Sequence, residues 1–258
     1  MKKSIFVFVF FWLFARLTVL LSGSFQMPLS DIFTVLAFSI PVFCGTVISE
    51  RDRKRREEEA GVSLPEAKLL SIEKKGMMLC LPLVFPTVAL VFLTAYVSQL
   101  LLSWFGVVMP KDETGNVIIS ILTGAAVPSV LEEMMFRYLP MKLILPYSKK
   151  WTVAISALGF ALFHPHIGQY FYALVAGIIF ILADIAFDSV IPSLVFHFTN
   201  NLLSVIYVNV GENTLYVKIF AISLAVCAAI SFALAVALRK KYAPYYRNIK
   251  SGARGIYG

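Results

Sequence analysis

The sequence predicts an all-α protein, a polytopic membrane bundle of about eight transmembrane helices with both termini in the cytoplasm. Apolar residues make up 59% of the 258 residues and charged residues only 15%, and the mean hydropathy is +0.80. Soluble domains contain roughly 45–50% apolar and about 25% charged residues, so a soluble globule is excluded as the main class. We expect one integral membrane domain over residues 1–258, with no repeat and no separate soluble domain.

Individual spans follow from the lengths of the apolar stretches, because a helix needs about 20 apolar residues to cross a bilayer. The first stretch follows Met1-Lys2-Lys3 and resembles a signal peptide, but no small-residue cleavage site comes after it and a second apolar stretch begins at once. We therefore interpret it as a retained transmembrane helix. The expected spans are 5–21, 32–48, 77–103, 117–145, 151–167, 170–187, 190–209 and 215–238.

The positions of Lys and Arg predict the orientation, because short cytoplasmic loops are enriched in them. The opposite loops, around 22–31, 104–116 and 210–214, carry only Lys111. The net charge of +8 is then explained by basic cytoplasmic segments that contact anionic lipid headgroups. We therefore expect membrane lipid, and no nucleic acid, as a partner. The expected location is a plasma membrane, most simply a bacterial one. The basic groups expected on the cytoplasmic side are Lys2-Lys3, the loop 49–76, Lys149-Lys150 and the tail from Arg239.

Two further features have structural interpretations. The charged segment 49–76 strongly favours helix as far as Gly61, and we expect a cytoplasmic surface helix or helical hairpin. The cysteines are odd in number, lie in apolar stretches and lack C-x-x-C spacing, so they predict neither disulfides nor a thiolate metal site but small core residues. They are Cys44, Cys80 and Cys227.

The strongest functional signal is Glu132-Glu133-Met134-Met135-Phe136-Arg137, in which three charges lie within an apolar stretch. Such charges are costly in a bilayer unless they are paired or functional. Residues four apart share a helix face, so Glu133 can pair with Arg137, and Glu132, about 100° away around the axis, then points elsewhere into the bundle. A desolvated, unpaired carboxyl suits a general base. Pro128 removes a helix hydrogen bond nearby and is expected to open the helix locally.

A second constellation contains Phe160 and His164, which share a helix face, followed by Pro165, which favours an end to the helix. His166 lies near the outer end of its span and is expected to be interfacial or to support the site indirectly. At about 1.5 Å per residue, Glu132 and His164 both lie roughly 20 Å from the cytoplasmic ends of their spans.

A third constellation contains His197, which shares a face with Asn201 and, at three residues' spacing, with Asn200. His197 lies roughly 10 Å into its span, a depth compatible with the other two groups once helix tilt is allowed for. By contrast, we expect Asp184 and Asp188 to lie at a hydrated helix end rather than in a site. The three constellations together predict an active site inside the bundle.

In this order on separate apolar segments, Glu132-Glu133-x-x-x-Arg137, Phe160-x-x-x-His164 and His197-x-x-x-Asn201 resemble the three motifs of the CAAX protease and bacteriocin-processing family, also called the ABI family. The resemblance covers about residues 117–209. It implies an eight-helix intramembrane endopeptidase that cleaves a membrane-associated peptide or protein near the cytoplasmic side.

Carried over by position, the resemblance implies that Glu132 and His164 hold and deprotonate a water molecule, while His197 and Asn201 stabilise the oxyanion. Glu133 and Arg137 would then be structural, with Phe160 and Asn200 as neighbours of the catalytic groups. No H-E-x-x-H motif is present, and we expect no cofactor. The alternative is a divalent metal such as zinc, with Glu132, His164 and His197 as its ligands.

Two other classes of function remain open from the sequence. One is a non-catalytic bacteriocin-immunity or scaffold protein of the same family; the other is a transporter, because charges inside a membrane also mark ion paths. The chain shows no inverted repeat and no pair of matching broken helices, which disfavours transport. Substrate identity and oligomeric state do not follow from the sequence.

Overall fold

The computed structural model describes residues 1–22, 29–63, 69–107, 116–210 and 213–250, and within these ranges the fold is all-helical. Most of the expected outer-loop residues, including Lys111, lie outside the described ranges. The main helices are α1 (Lys2–Ser22), α2 (Leu29–Ala60), α3 (Lys74–Ser103), α4 (Val117–Leu143), α5 (Lys149–Phe163), α6 (Ile167–Phe187), α7 (Ile191–Val210), α8 (Thr214–Ala237) and α9 (Ala243–Lys250).

Seven of these helices in the described ranges are long and apolar enough to cross a membrane. The predicted span 151–167 corresponds instead to α5, a helix of 15 residues, which is about 22 Å long against a hydrocarbon thickness of about 30 Å. The all-helical membrane fold is thus confirmed. The number of eight crossings and the cytoplasmic location of the termini stay predictions.

Lipid exposure explains why the helices are apolar on nearly every side. On α3, Val84, Val88 and Val91 are buried at helical spacing, whereas Leu93 and Tyr96 on other faces are 58% and 65% exposed. In water such faces would favour aggregation, but in lipid they are the ordinary surface of a spanning helix.

The interior centres on a cluster of aromatic rings contributed by α2, α4 and α5. Phe136 packs against Phe38, Phe160 and Phe163 with ring centroids 6.5, 5.6 and 5.2 Å apart, all near edge-to-face. Aromatic pairs in this arrangement add about 0.5–1.5 kcal/mol each beyond the area they bury. This cluster fixes α4 against α5, the two helices that carry the first two polar constellations.

A close helix contact holds α6 against α5. A Cβ atom added at Gly177 would lie 2.9 Å from the Cα atom of Ala157, so only glycine fits there. The contact lets α5 and α6 approach more closely than larger side chains would allow, as small residues commonly do between membrane helices.

The first part of the charged segment, residues 49–60, is a continuation of α2. The helix runs without interruption to Ala60, and Gly61 follows with φ +66°, the left-handed conformation typical of the residue that ends a helix. The expected helix up to Gly61 is therefore confirmed. Charged pairs along this extension include Arg53 with Glu57 and Arg55 with Asp52.

Several basic segments meet at the same end of the bundle as this extension. The Tyr147 hydroxyl, in the turn between α4 and α5, donates to Asp52, and burial together with this hydrogen bond raises the pKa of Tyr147 to about 12. The Lys149 ammonium donates to the carbonyl of Ile249 at 3.0 Å. The α2 extension, the α4–α5 turn and the C-terminal helix thus share one side, as the distribution of Lys and Arg predicts.

Two of the three cysteines pack in the interior. Cys80 is buried in the main hydrophobic cluster, and Cys44 is partly buried against it, as small packing residues do. Cys227 is a partly buried free thiol on α8.

Candidate active site

The motif Glu132-Glu133-x-x-x-Arg137 lies where α4 departs from regular α-helix. Wide π-type turns at Ile121–Ala126 and Met134–Tyr138 flank a regular segment, Val127–Glu133, which has Pro128 in its first turn. The local opening expected near Pro128 is thus present. Such turns are rare and often occur at functional sites.

Glu133 and Arg137 form a pair in the protein interior. Glu133 Oε2 lies 3.2 Å from Arg137 Nε, and the side chains are 2% and 0% exposed. The contact is an ion pair rather than an aligned hydrogen bond. The guanidinium also lies over the rings of Phe160 and Phe180, 4.4 and 5.4 Å from their centroids, and cation–π contacts of this kind are stronger when desolvated. The predicted pairing of Glu133 with Arg137 is present.

His197 lies between the two glutamates. Its Nδ1 is 2.7 Å from Glu133 Oε1, and its Nε2 is 3.8 Å from Glu132 Oε2. A carboxylate accepts, so Nδ1 carries the proton that His197 donates to Glu133. Nε2 of the neutral ring is then bare, and it becomes a donor only when the ring is protonated. Sequence analysis missed this link, because it assigned Glu133 to Arg137 alone.

The two glutamates consequently differ in how accessible their carboxylates are to water. Glu133 contacts Arg137 through one oxygen and His197 through the other, and it is almost fully buried. The Glu132 side chain is 21% exposed, and its contact to His197 is the longer one. Of the two, Glu132 is the carboxylate that a water molecule can reach.

His164 occupies the C-terminal end of α5. The helix ends at Phe163, and His164 has an extended backbone (φ −65°, ψ 145°) just before Pro165, as expected for a residue that precedes proline. The His164 Nδ1 lies 2.9 Å from the carbonyl oxygen of Phe160. Because a carbonyl only accepts, Nδ1 carries the proton and Nε2 of the neutral ring is bare. His164 therefore presents an acceptor nitrogen.

Phe160 links the three constellations. Its ring meets the imidazoles of His164 and His197 edge-to-face, with centroids 4.9 and 5.5 Å apart, and the guanidinium of Arg137 approaches the same ring. Arg137 of α4, His164 of α5 and His197 of α7 are thereby brought around one ring.

Asn200 and Asn201 continue the polar face of α7 beyond His197. The Asn200 amide nitrogen donates to Asn201 Oδ1 at 3.3 Å. This contact occupies the oxygen of Asn201 and leaves its amide N–H groups available as donors. Both side chains are partly buried.

The expectation for Asp184 was wrong. Rather than lying at a hydrated helix end, Asp184 is fully buried, and its Oδ1 accepts from the backbone N–H of Ser193 at 2.9 Å. Ser193 lies in the first turn of α7, where N–H groups have no partner within the helix.

Asp188 and His166 lie at the two ends of α6. Asp188 is partly exposed and ends the helix with φ +54°. His166 is exposed directly before α6.

The sequence analysis also missed Arg16 and Trp12 of α1. Arg16 Nη1 donates to the carbonyl of Phe163 at 2.7 Å, and Trp12 Nε1 donates to the carbonyl of Gly159 at 2.8 Å. A signal was present, because Arg16 is a charge in the middle of an apolar span. It lay far in sequence from the three motifs.

The alternative zinc site was tested against the donor atoms. His164 and His197 each donate Nδ1–H to an oxygen and keep Nε2 free, an arrangement that metal-binding histidines also adopt. Within the part of the chain that the structure describes, however, no group of three or more His, Cys, Asp or Glu side chains is placed to hold a metal ion.

The fold and this cluster define a class: a multi-pass helical membrane protein with carboxylate, imidazole and amide groups gathered inside the bundle. Comparison with known families agrees, because residues 114–203 match the family described as Rce1-like, Type II CAAX prenyl endopeptidase Rce1-like. The match confirms the resemblance to the CAAX protease family and covers the segment that carries all three motifs. It supports a membrane-embedded protease. No curated protein and no solved structure matches the chain.

Proposed function

We propose that the protein is a glutamate-dependent intramembrane endopeptidase that cleaves a membrane-associated peptide or protein near the cytoplasmic side. The observation that carries the proposal is the division between the two glutamates. Glu133 is buried and held by Arg137 and His197, whereas the neighbouring Glu132 is accessible and faces the same histidine. An accessible carboxylate beside an imidazole suits general-base chemistry.

Activation of water is assigned to Glu132 and His164. The bare Nε2 of His164 accepts a hydrogen bond from the water molecule, and Glu132 takes a proton as the water oxygen bonds to the scissile carbonyl carbon. The same proton then passes from Glu132 to the leaving nitrogen as the C–N bond breaks. Each carboxylate and imidazole thus returns to its starting state.

The oxyanion is assigned to His197 and Asn201. The contact with Asn200 uses the oxygen of Asn201 and not its amide N–H groups, which can therefore donate to an oxyanion. His197 donates from Nε2 when its ring is protonated, and the carboxylate of Glu133 on Nδ1 stabilises that imidazolium. Prearranged donors of this kind supply much of the stabilisation in acyl transfer.

The first test is Glu132→Gln, which preserves shape but removes the proton acceptor. We expect cleavage to fall by about two to four orders of magnitude, with folded protein little changed. Substrates should accumulate uncleaved and be identified by mass spectrometry of membrane peptides. Glu58→Gln, the same substitution on the exposed surface of α2, is the control. Near-normal processing by Glu132→Gln would remove Glu132 from the mechanism and favour the immunity or scaffold function.

A second test decides between the metal-free mechanism and the zinc alternative. If His197 and Asn201 are oxyanion donors, Asn201→Ala should cost about 2.7–4 kcal/mol of transition-state stabilisation without changing metal content. The measurements are elemental analysis of purified active enzyme and cleavage kinetics of the variant. One zinc per chain, lost together with activity in His164→Ala, would overturn the oxyanion assignment.

A further inference from the structure

Arg16 is a cation within an apolar span and outside the segment that matches the family. It lies partly buried on α1, with Nη1 on the carbonyl oxygen of Phe163 at 2.7 Å and its guanidinium 5.7 Å from the Phe163 ring centroid. Charges at this depth are costly and usually find a specific partner. Here that partner is the last residue of α5, directly before His164.

Trp12, one helical turn before Arg16, contacts the same part of α5. Its indole N–H donates to the carbonyl of Gly159 at 2.8 Å, and its ring packs edge-on against Phe163 with centroids 6.3 Å apart. A Cβ atom added at Gly159 would lie 3.5 Å from Trp12, an ordinary van der Waals distance, so α1 packs directly against this turn of α5. Residues four apart share a helix face, so Trp12 and Arg16 hold α5 from one side.

Arg16 donates where α5 lacks a donor of its own. The last carbonyls of a helix have no N–H groups within the helix, and Pro165 has no N–H to offer. The His164 backbone N–H donates to the carbonyl of Ala161 at 3.3 Å, and the His164 side chain donates to the carbonyl of Phe160. Arg16 supplies the donor for Phe163, and a cation at a helix C-terminus is also favoured by the helix dipole.

We propose that Arg16 and Trp12 are positioning residues for His164. By holding the last turn of α5, they keep the His164 Nδ1–H on the carbonyl of Phe160 and so keep Nε2 free to accept from water. The inference rests on the proposed function for its catalytic meaning. The structural part of the inference is that His164 keeps one fixed tautomer, and this can be measured without any substrate.

The test is nitrogen NMR of the full-length protein in detergent with labelled histidine. The chain has only 3 histidines, so the His164 signals are assigned by their loss in His164→Gln. We expect a single Nδ1–H tautomer in the wild type and a mixture in Arg16→Met, with a smaller change in Trp12→Phe and partial rescue in Arg16→Lys. Leu13→Ala, at a 55% exposed position of α1, is the control and should match the wild type.

Cleavage provides the second readout, with a synthetic peptide that spans a sequence accumulating in the Glu132→Gln strain. Arg16→Met should lower the cleavage rate at least tenfold, and Leu13→Ala by less than twofold. If His164 kept a single Nδ1–H tautomer in Arg16→Met, the inference would be overturned. If Arg16→Met does not accumulate as folded protein, the same result in Trp12→Phe would overturn it. If Glu132→Gln still cleaves while Arg16→Met mixes the tautomers, the proposed function fails and the positioning role stands.

Discussion

Two glutamate–arginine pairs, each four residues apart on a helix, occupy opposite environments in this protein. Glu133 and Arg137 lie in the interior with side chains 2% and 0% exposed, whereas Arg53 and Glu57 lie on the α2 extension with side chains 24% and 20% exposed. The surface pair has the shorter contact, 2.6 Å against 3.2 Å. Contact length is therefore a poor guide to what each pair contributes.

The difference lies in what surrounds each pair. Water and salt can replace either partner of the surface pair, so its contribution is small. In the interior, each charge relies on fixed neighbours: Arg137 on Glu133 and two aromatic rings, and Glu133 on Arg137 and His197. The interior pair also orients a histidine of the candidate active site. Three predictions test this comparison.

The largest effect is expected from Arg137→Ala. Removing one partner of a buried pair typically costs about 3–5 kcal/mol, because the remaining charge is left uncompensated. Arg137→Ala and Glu133→Ala should thus lower the amount and the Tm of folded protein in detergent more than Glu132→Gln does. A Glu133→Ala variant as stable as the wild type would contradict the cost expected for breaking this pair.

An intermediate effect is expected at Asp184, a buried carboxyl group whose Oδ1 accepts from the backbone N–H of Ser193. Asp184→Ala leaves the N–H of Ser193 without an acceptor, at a cost of about 1–3 kcal/mol. Asp184→Asn keeps an oxygen at that place and should cost less. Thermal unfolding of the two variants measures the difference. Equal losses in both would show that the negative charge, rather than the hydrogen bond to α7, matters.

The smallest effect is expected from Arg53→Ala. Arg53 is partly exposed and pairs with both Glu50 and Glu57; a surface pair of this kind contributes about 0.2–1 kcal/mol, and this contribution falls as ionic strength rises. The difference in Tm between Arg53→Ala and the wild type should therefore be small at low salt and vanish at high salt. A loss as large as that of Arg137→Ala would mean that the α2 extension is packed against a partner.

The sequence predicted most of the fold because apolar length and charge placement act locally. The boundaries of α1, the end of α2 at Ala60 and the end of α5 at Phe163 all follow from residues in the immediate neighbourhood. The burial of Asp184 did not follow, because its acceptor role depends on where α7 begins after the turn. The predicted span 151–167 extended beyond the end of α5. Ser148 caps the start of this helix, and Pro165 favours its end only a few turns later.

The sequence predicted which residues form the candidate site, but not which of them contact one another across helices. Helix periodicity correctly paired Glu133 with Arg137 and placed Phe160 beside His164, since both pairs lie on one helix. Contacts between helices were beyond that reasoning. The hydrogen bond from His197 to Glu133 and the contact of Arg16 with Phe163 depend on packing, which sequence spacing does not encode. The catalytic roles of these residues stay predictions.

The two wide turns of α4 have a consequence for how its length can vary. A turn closed by i→i+5 hydrogen bonds holds one residue more than an α-helical turn. Deleting one residue from Met134–Tyr138 would let that turn close as ordinary α-helix. Because the wide turn already accommodates the extra residue, Glu133 and the helix end near Leu143 would keep close to their present faces. The same deletion from the regular segment Val127–Glu133 would instead rotate the residues on one side of it by about 100° relative to the other. The wide turns are thus the places where α4 can change its length by one residue.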